Sequence, residues 1–310
     1  MDNIGQNIVE KENQPRNIER LAAQKEIYYQ AKRLFFWQLV LTVIVTVVLT
    51  LLGFTLSYFG YNIDWFRAAY GVVVTFLDLL VISPFINQLR QKAASIQELF
   101  DCDVLDLEWN KVVVGEKPLN EDIKKYSEKH LKRVKSFDKL KNWYAEPIKE
   151  VDGNAAKILC QRSNFSYDYS MRKSFLYWVV GSSIAILVLL VLFALFKDIT
   201  LRAFMLTVLL PFMPVLTLSV KLYNDHNTSI KSLESLKSHI LNLWAGVLNR
   251  TAQNSDDVVR QIQVKLYLNR KSNPLIPEGI YDRLRPGLED QMYYCVEDLV
   301  EDYKKAQNKS

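Results

Sequence analysis

The run LFFWQLVLTVIVTVVLTLLGFTLSYF begins at Leu34, and no charged residue occurs from there to Ile63. A helix needs about 20 uncharged, mostly apolar residues to cross a hydrocarbon core about 30 Å thick. In that medium every backbone N–H and C=O must be satisfied internally, which leaves helices and closed barrels as the spanning structures. A second run, Ser174 to Phe196, is equally free of charge. Two weaker spans complete the pattern. Ala68 to Leu89 carries only Asp78, and Ala203 to Val220 holds Pro211 and Pro214. The expectation is an all-α membrane protein with four transmembrane helices arranged as two hairpins.

More than 30 residues, many of them charged, precede the first run, so it does not fit the short apolar core of a removable signal peptide. Proline removes a backbone hydrogen bond and kinks a helix, so Pro211 and Pro214 predict a kinked fourth span. Lys and Arg near span ends set orientation. About twelve flank the N-terminus, the central region and the C-terminus, Arg16, Arg20, Arg90, Arg172 and Lys221 among them. Three, Arg67, Lys197 and Arg202, lie in the two short loops. This places both termini and nearly all the polar mass in the cytoplasm. The segments are then 1–33 (N-terminal segment), 34–89 (first hairpin), 90–173 (central region), 174–220 (second hairpin) and 221–310 (C-terminal helical region).

Cys102, Cys160 and Cys295 are odd in number and widely spaced, which argues against disulfides in a reducing compartment. The net charge of +5 is spread out, without the basic stripe of a chain that tracks DNA or RNA. Phosphate-loop, dinucleotide, nucleophile-elbow and zinc-protease motifs are absent, and His130, His226 and His239 are far apart, so neither an enzyme nor a metal site is expected.

In the polar parts, residues 1–15 read as frayed, and a helix from about Pro15 runs into the first span. Val112 to Leu119 reads as a short β-like turn unit, and Asn120 to Tyr144 as a Lys-rich helix. Ile230, Leu233, Leu236, Ile240 and Trp244 recur at helical spacing, followed by a helix capped at Ser255-Asp256-Asp257, a break at NRKSNPLIP, a short helix after Pro277 and a last one from about Gly287 to Tyr303.

Three features bear on function. Asp78 sits in mid-span, where a carboxylate costs about 2.5–3.5 kcal/mol and faces a bundle interior or water. It is either a pore or gating group, with Pro211 and Pro214, or a packing residue bonded to a neighbour's Thr, Ser or backbone, for which Thr42, Thr46 and Thr217 offer Thr partners. Tyr267, Arg270, Lys271 and Asn273, with Trp109, offer phosphate donors and stacking rings; the plainer alternative is a solvated helix end. The stretch QELFDCDVLDLEWNK (97–111) holds five carboxylates. Its apolar positions suffice to dock the exit of the second span, and its acids are expected to pair with the Lys-rich helix rather than with a metal, which would want a denser, convergent set.

Five stretches together carry a resemblance: IERLAAQKEIYYQAKRL, IQELFDCDVLDLEWN, NFSYDYSMRK, KLYLNRKSNPLIPEGIYDRLR and EDQMYYCVEDLVEDY. The chain resembles the SMODS-associating four-transmembrane effectors of bacterial cyclic-oligonucleotide anti-phage signalling (CBASS). The resemblance implies a regulatory ligand, a cyclic di- or trinucleotide made by a partner synthase, and no other cofactor. It implies a pore-forming or membrane-disrupting response in the bacterial inner membrane that arrests or kills the infected cell. Homo-oligomers are expected, because one four-helix protomer is too thin for a wide pore. From another class, a membrane scaffold that recruits a cytoplasmic partner fits the same helices; a transporter is disfavoured by the single intramembrane carboxylate.

Overall fold

A computed structural model describes residues 3–196, 200–251 and 256–308. These residues form helices and turns, with no strand among them. Three helices are long and apolar enough to cross a membrane: α2 (Pro15–Tyr58), α3 (Asp64–Val104) and α6 (Gly153–Phe196). The others are α1 (Ile4–Glu12), α4 (Lys111–Val114), α5 (Asn120–Val134), α7 (201–248), α8 (Asp256–Ser272) and α9 (Glu278–Asn308). Lys197, counted above in a short loop, and the cap at Ser255 lie outside the described residues.

The molecule divides into an apolar band and a polar layer. No more than 24% of the most apolar window of α2, α3 or α6 is buried inside the protein, so the rest presents Val, Leu and Ile outward. Exposed rings mark both edges: Tyr58, Phe59, Tyr61 and Trp65 at one, Phe36, Trp37, Tyr177 and Trp178 at the other. Aromatic belts at two levels are what membrane–water interfaces select. Inside the band, α7 packs along α6 and against α2 and α3, around Leu190, Val208, Phe212 and Val215.

Three of the apolar helices contain a widened π turn, at Val40–Val45, Asp78–Ile82 and Met205–Leu209. Each has a local consequence. The Tyr70 hydroxyl donates to the Leu41 carbonyl within the first, at 2.7 Å. Asp78 opens the second. The third directly precedes Pro211 and Pro214, whose missing N–H donors are accommodated in a helix that continues to Leu248.

In the polar layer, α2 lies between α3 and α5, with Ala23, Ala31 and Ala93 letting the backbones approach around Ile27, Ile86, Ile96 and Ile123. The larger core joins α1, the lower parts of α6 and α7, α8 and α9 around Phe100, Ile148, Leu159, Ile240 and Val296.

Several expectations change. Within the segment expected to be frayed, residues 3–15 are ordered: Asn3 caps α1 by accepting from the Gln6 N–H at 3.0 Å, and Ile8 is buried. Gly5 meets the 146–151 turn so closely that a Cβ there would lie 2.1 Å from the Ile148 carbonyl oxygen. Val112–Leu119 is not β-like. Asn110 caps the one-turn helix α4 by accepting from the Val113 N–H at 3.1 Å, and Gly115 (φ 90°) turns the chain out of it. The Lys-rich helix stops at Val134 because Lys135 adopts a left-handed φ of 65°. The two C-terminal helices are one. Ile280, Leu284 and Leu288 pack on Met171, Phe175 and Val179 of α6, and this stripe carries α9 through Pro286.

Candidate functional site

The acidic run at 97–111 forms the end of α3 and the turn that leaves it, and three of its carboxylates, Glu98, Asp101 and Asp103, are paired with arginines distant in sequence. Glu98 and Asp101 are fully buried. Arg260 donates to Glu98 at 2.7 Å, and Gln263 Nε2 reaches both Glu98 and Asp101 at 2.8 Å. Arg270 pairs with Asp101, which also accepts from the Tyr144 hydroxyl at 3.2 Å. Burial, then the neighbouring Asp101 charge, pushes the Glu98 carboxyl up; Gln263 and Arg260 oppose the shift. Burial alone would lower the Arg270 pKa, but the Asp101 charge and hydrogen bond, with Tyr144 and Glu98, together more than reverse this. The acids therefore clamp α3 to α8. The expected pairing with the Lys-rich helix does not occur, because α5 turns its cations to α2 and meets α3 through its own Asp122 instead. Lys124 meets Glu19 at 3.2 Å, Arg133 meets Glu26 at 2.9 Å, and Lys92 of α3 meets Asp122 at 2.8 Å.

The stretch 269–277 leaves α8 and forms a strap across the lower edge of the apolar band. Arg90 of α3 donates to the carbonyls of Lys271 and Asn273 at 3.0 and 2.9 Å. Arg172 of α6 donates to the Pro274 carbonyl at 2.8 Å while gripping Asp168 with two nitrogens. The Asn273 amide donates to Asp168 at 2.6 Å, and Ser232 of α7 donates to Asn269 at 2.8 Å. His226 of α7 lies fully buried beneath, its ring edge-on to Phe175 with centroids 4.8 Å apart. Burial and the Arg172 charge hold its pKa down, to about 3. Thus the strap touches three of the long helices at once.

The structure accordingly separates the residues grouped as ligand candidates. Arg270 is in the clamp and Asn273 in the strap, where Lys271 contributes its carbonyl. Tyr267 is fully buried beside Ala94 and Val114, its hydroxyl 3.4 Å from that of Ser95. Trp109 packs against the cluster that holds Tyr267 and, on its other side, lines a cleft away from Arg270, Lys271 and Asn273.

That cleft, of about 430 Å³, lies between the start of α2, the end of α3 and the 109–120 loop. Asp106, with φ 51°, ends α3 in a left-handed turn closed by Leu107 N–H to Cys102 C=O at 2.8 Å, which folds 107–109 back beside the helix. The Trp109 indole N–H donates to the Gly115 carbonyl at 2.8 Å and so fixes the loop that carries Lys117. Arg20 is buried, donating to Asn17 and to Asp103, both at 2.7 Å. Burial works to raise the Asp103 pKa, but the Arg20 charge and hydrogen bond hold it below the usual carboxylate range. Arg16, Arg20, Lys11 and Lys117 thus face Asp103 and Asp106. Residue reading used Arg16 and Arg20 only to orient the chain; their i, i+4 spacing just after Pro15 was the available signal.

Within the band, Asp78 is partly buried and accepts from Gln38 of α2 and from Ser83 at 2.9 Å. Lys221 of α7 donates to the same Ser83 hydroxyl at 3.0 Å. The partners anticipated for Asp78, Thr42, Thr46 and Thr217, are not the ones it has. Pro214 lies against Gly71 of α3. Pro211 continues α7 just after the third π turn.

Comparison with known proteins agrees with this architecture. Residues 6–299 match the family described as the SMODS-associating 4TM effector domain. A protein of Bacillus cereus (strain VD146), described as "Probable CBASS effector molecule IK1_05631", is 26% identical over 286 residues, covering 88% of this chain and 92% of that protein. No solved structure is similar by the same standard. With the match running over nearly the whole chain, the protein belongs to the SMODS-associating 4TM effector domain family.

Proposed function

We propose that the protein is the membrane effector of an anti-phage system, sensing a cyclic di- or trinucleotide through its polar layer and permeabilising the bacterial inner membrane. In this reading α7 is the fourth span, the four helices form two hairpins, and both termini and the polar layer lie in the cytoplasm, as the Lys and Arg bias favours. The messenger comes from a cyclic-nucleotide synthase that acts as functional partner. The protein itself contributes no bond-making chemistry; it converts ligand binding into a change of membrane packing.

One observation carries the reading. α2, α3, α6 and α7 each continue unbroken from the apolar band into the polar layer, where the clamp and the strap bind α3, α6 and α7 to α8 and α2 packs along α3. A ligand that prefers one arrangement of that layer shifts the helices with it, by no more than its differential affinity for the two arrangements. Inside one protomer Leu190, Val208, Phe212 and Val215 pack together as the core of the band, so permeation calls for several copies acting together. Asp78, Pro211 and Pro214 are the gating residues of this assembly.

The test is dye release from liposomes containing the purified chain. Cyclic diadenylate, cyclic diguanylate, mixed cyclic dinucleotides and cyclic triadenylate are added in turn. Release with one or more of them is expected. Release with none, from vesicles shown to contain correctly inserted protein, overturns the reading in favour of a recruiting scaffold.

A further inference from the structure

The cleft at Trp109 combines exposed cations with a fixed aromatic ring. Arg16 and Lys117 are exposed, and neither has a carboxylate within ion-pair reach among the described residues. Lys11 meets Asp106 only at 3.7 Å, and that carboxylate is 85% exposed. Arg20 is the opposite case. Its side chain is 3% exposed and is held by Asn17 and Asp103, yet its Nε has no hydrogen-bond partner. A buried guanidinium with a donor left over, at the wall of a cleft, is a group prepared for one more acceptor. Four cations against two carboxylates leave the cleft with net positive charge, and Trp109 adds a flat ring whose edge is already pinned to Gly115.

We propose that this cleft binds a phosphodiester ligand bearing a nucleobase, and that Asp103 and Asp106 occupy the phosphate positions when it is empty. Arg16 and Lys117 make the first contacts with phosphate oxygens. The ligand then takes Arg20 from Asp103 and Lys11 from Asp106, and its base stacks on Trp109. About 430 Å³ lies within the range of small-ligand sites. A lipid headgroup shares the phosphate chemistry, but Arg20 and Arg16 precede Leu34 by 14 and 18 residues on one helix. At 1.5 Å per residue that is about 21 and 27 Å from the apolar band, out of a headgroup's reach. The exchange has an outcome built into the chain. Asp103 and Asp106 each lie five residues beyond a clamp carboxylate, Glu98 and Asp101 in turn, so freeing them loosens the end of α3 next to its clamp on α8.

The identity of the ligand as a cyclic messenger rests on the function proposed above; the location and the displacement of carboxylates do not. The test is equilibrium binding to the detergent-solubilised full chain, using the four cyclic nucleotides named above and, as controls, inorganic pyrophosphate and anionic-lipid micelles. Arg16→Ala with Lys117→Ala, both exposed positions, is expected to weaken binding at least about tenfold, the worth of a charge-assisted contact. Asp103→Asn, which releases Arg20, is expected to tighten it. Trp109→Phe, which keeps a ring, is expected to retain more affinity than Trp109→Ala. Unchanged affinity in the double variant, with unfolding like wild type, overturns the assignment even if liposomes still leak. Preference for lipid micelles over nucleotides overturns it as well. Binding that follows these rules while no messenger causes leakage would sustain the cleft and sink the membrane-permeabilising function.

Discussion

Replacing Arg270 by Met tests the clamp between α3 and α8 directly. The methionine keeps the apolar stem and removes the charge, leaving Asp101 fully buried with only Gln263 and Tyr144 as donors. Removing one partner of a buried ion pair costs about 3–5 kcal/mol. Two remaining donors place this case at the lower end, near about 3 kcal/mol. Replacing both partners, Arg270→Met with Asp101→Asn, removes the stranded charge and is expected to recover a large part of the loss. The coupling between the two sites should then exceed about 1 kcal/mol, well beyond the additivity of separate positions. The assay is denaturant unfolding in a mild detergent, followed by far-ultraviolet circular dichroism and tryptophan fluorescence. A single variant within about 0.5 kcal/mol of wild type would refute the clamp, since that is the range of ordinary surface substitutions. So would strict additivity in the double variant.

Glu12 gives a pH signature. Burial, opposed by the Tyr144 N–H, raises its pKa from 4.5 to about 8. The folded state therefore holds a proton that the unfolded state releases, and the stability present below pH 4.5 is lost progressively as pH rises to about 8. At about 1.4 kcal/mol per pH unit this is on the order of 5 kcal/mol, and Glu12→Gln should abolish that slope in unfolding curves taken from pH 5 to 9. Gly5→Ala places a Cβ 2.1 Å from the Ile148 carbonyl oxygen and 2.5 Å from that of Val151, two backbone atoms that must move. A loss of about 1–3 kcal/mol is expected, read as early melting or proteolysis of the N-terminal helix. Asp78→Asn weakens the tie that gathers α2 and α3 at Ser83, where Lys221 also binds, so dye release without ligand should rise. Unchanged basal and stimulated release would remove Asp78 from the gate.

The apolar helices were legible because lipid leaves so few options: a charge-free run of that length at Leu34 or Ser174 has one helical solution in a bilayer. The docking role of 97–111 was legible from its apolar spacing. The partners of its acids were not, since Asp101 and Arg270 lie 169 residues apart and no local pattern encodes such a pairing. Arg270 and Asn273 look like free donors in NRKSNP because composition does not reveal burial. Trp109 was visible as a ring, but its cleft depends on a left-handed turn at Asp106, a residue type that adopts this conformation only sometimes. The helix through Pro286 was hidden for the reverse reason, a local breaker overruled by packing on α6.

The unbroken course of α2 has a mechanical consequence. Its 44 residues make a rod about 66 Å long, at 1.5 Å per residue, with Arg16 and Arg20 at one tip and the Tyr58 edge at the other. If the rod pivots, an angle of about 5° displaces the far tip by about 6 Å, roughly the pitch of one helical turn. The two π turns at Val40–Val45 and Asp78–Ile82 lie inside the band, part-way along α2 and α3, and they are the compliant joints that would decide how much of that leverage reaches the lipid. A protein built this way needs no large rearrangement at its ligand end; a few ångströms at a fulcrum are amplified by length alone.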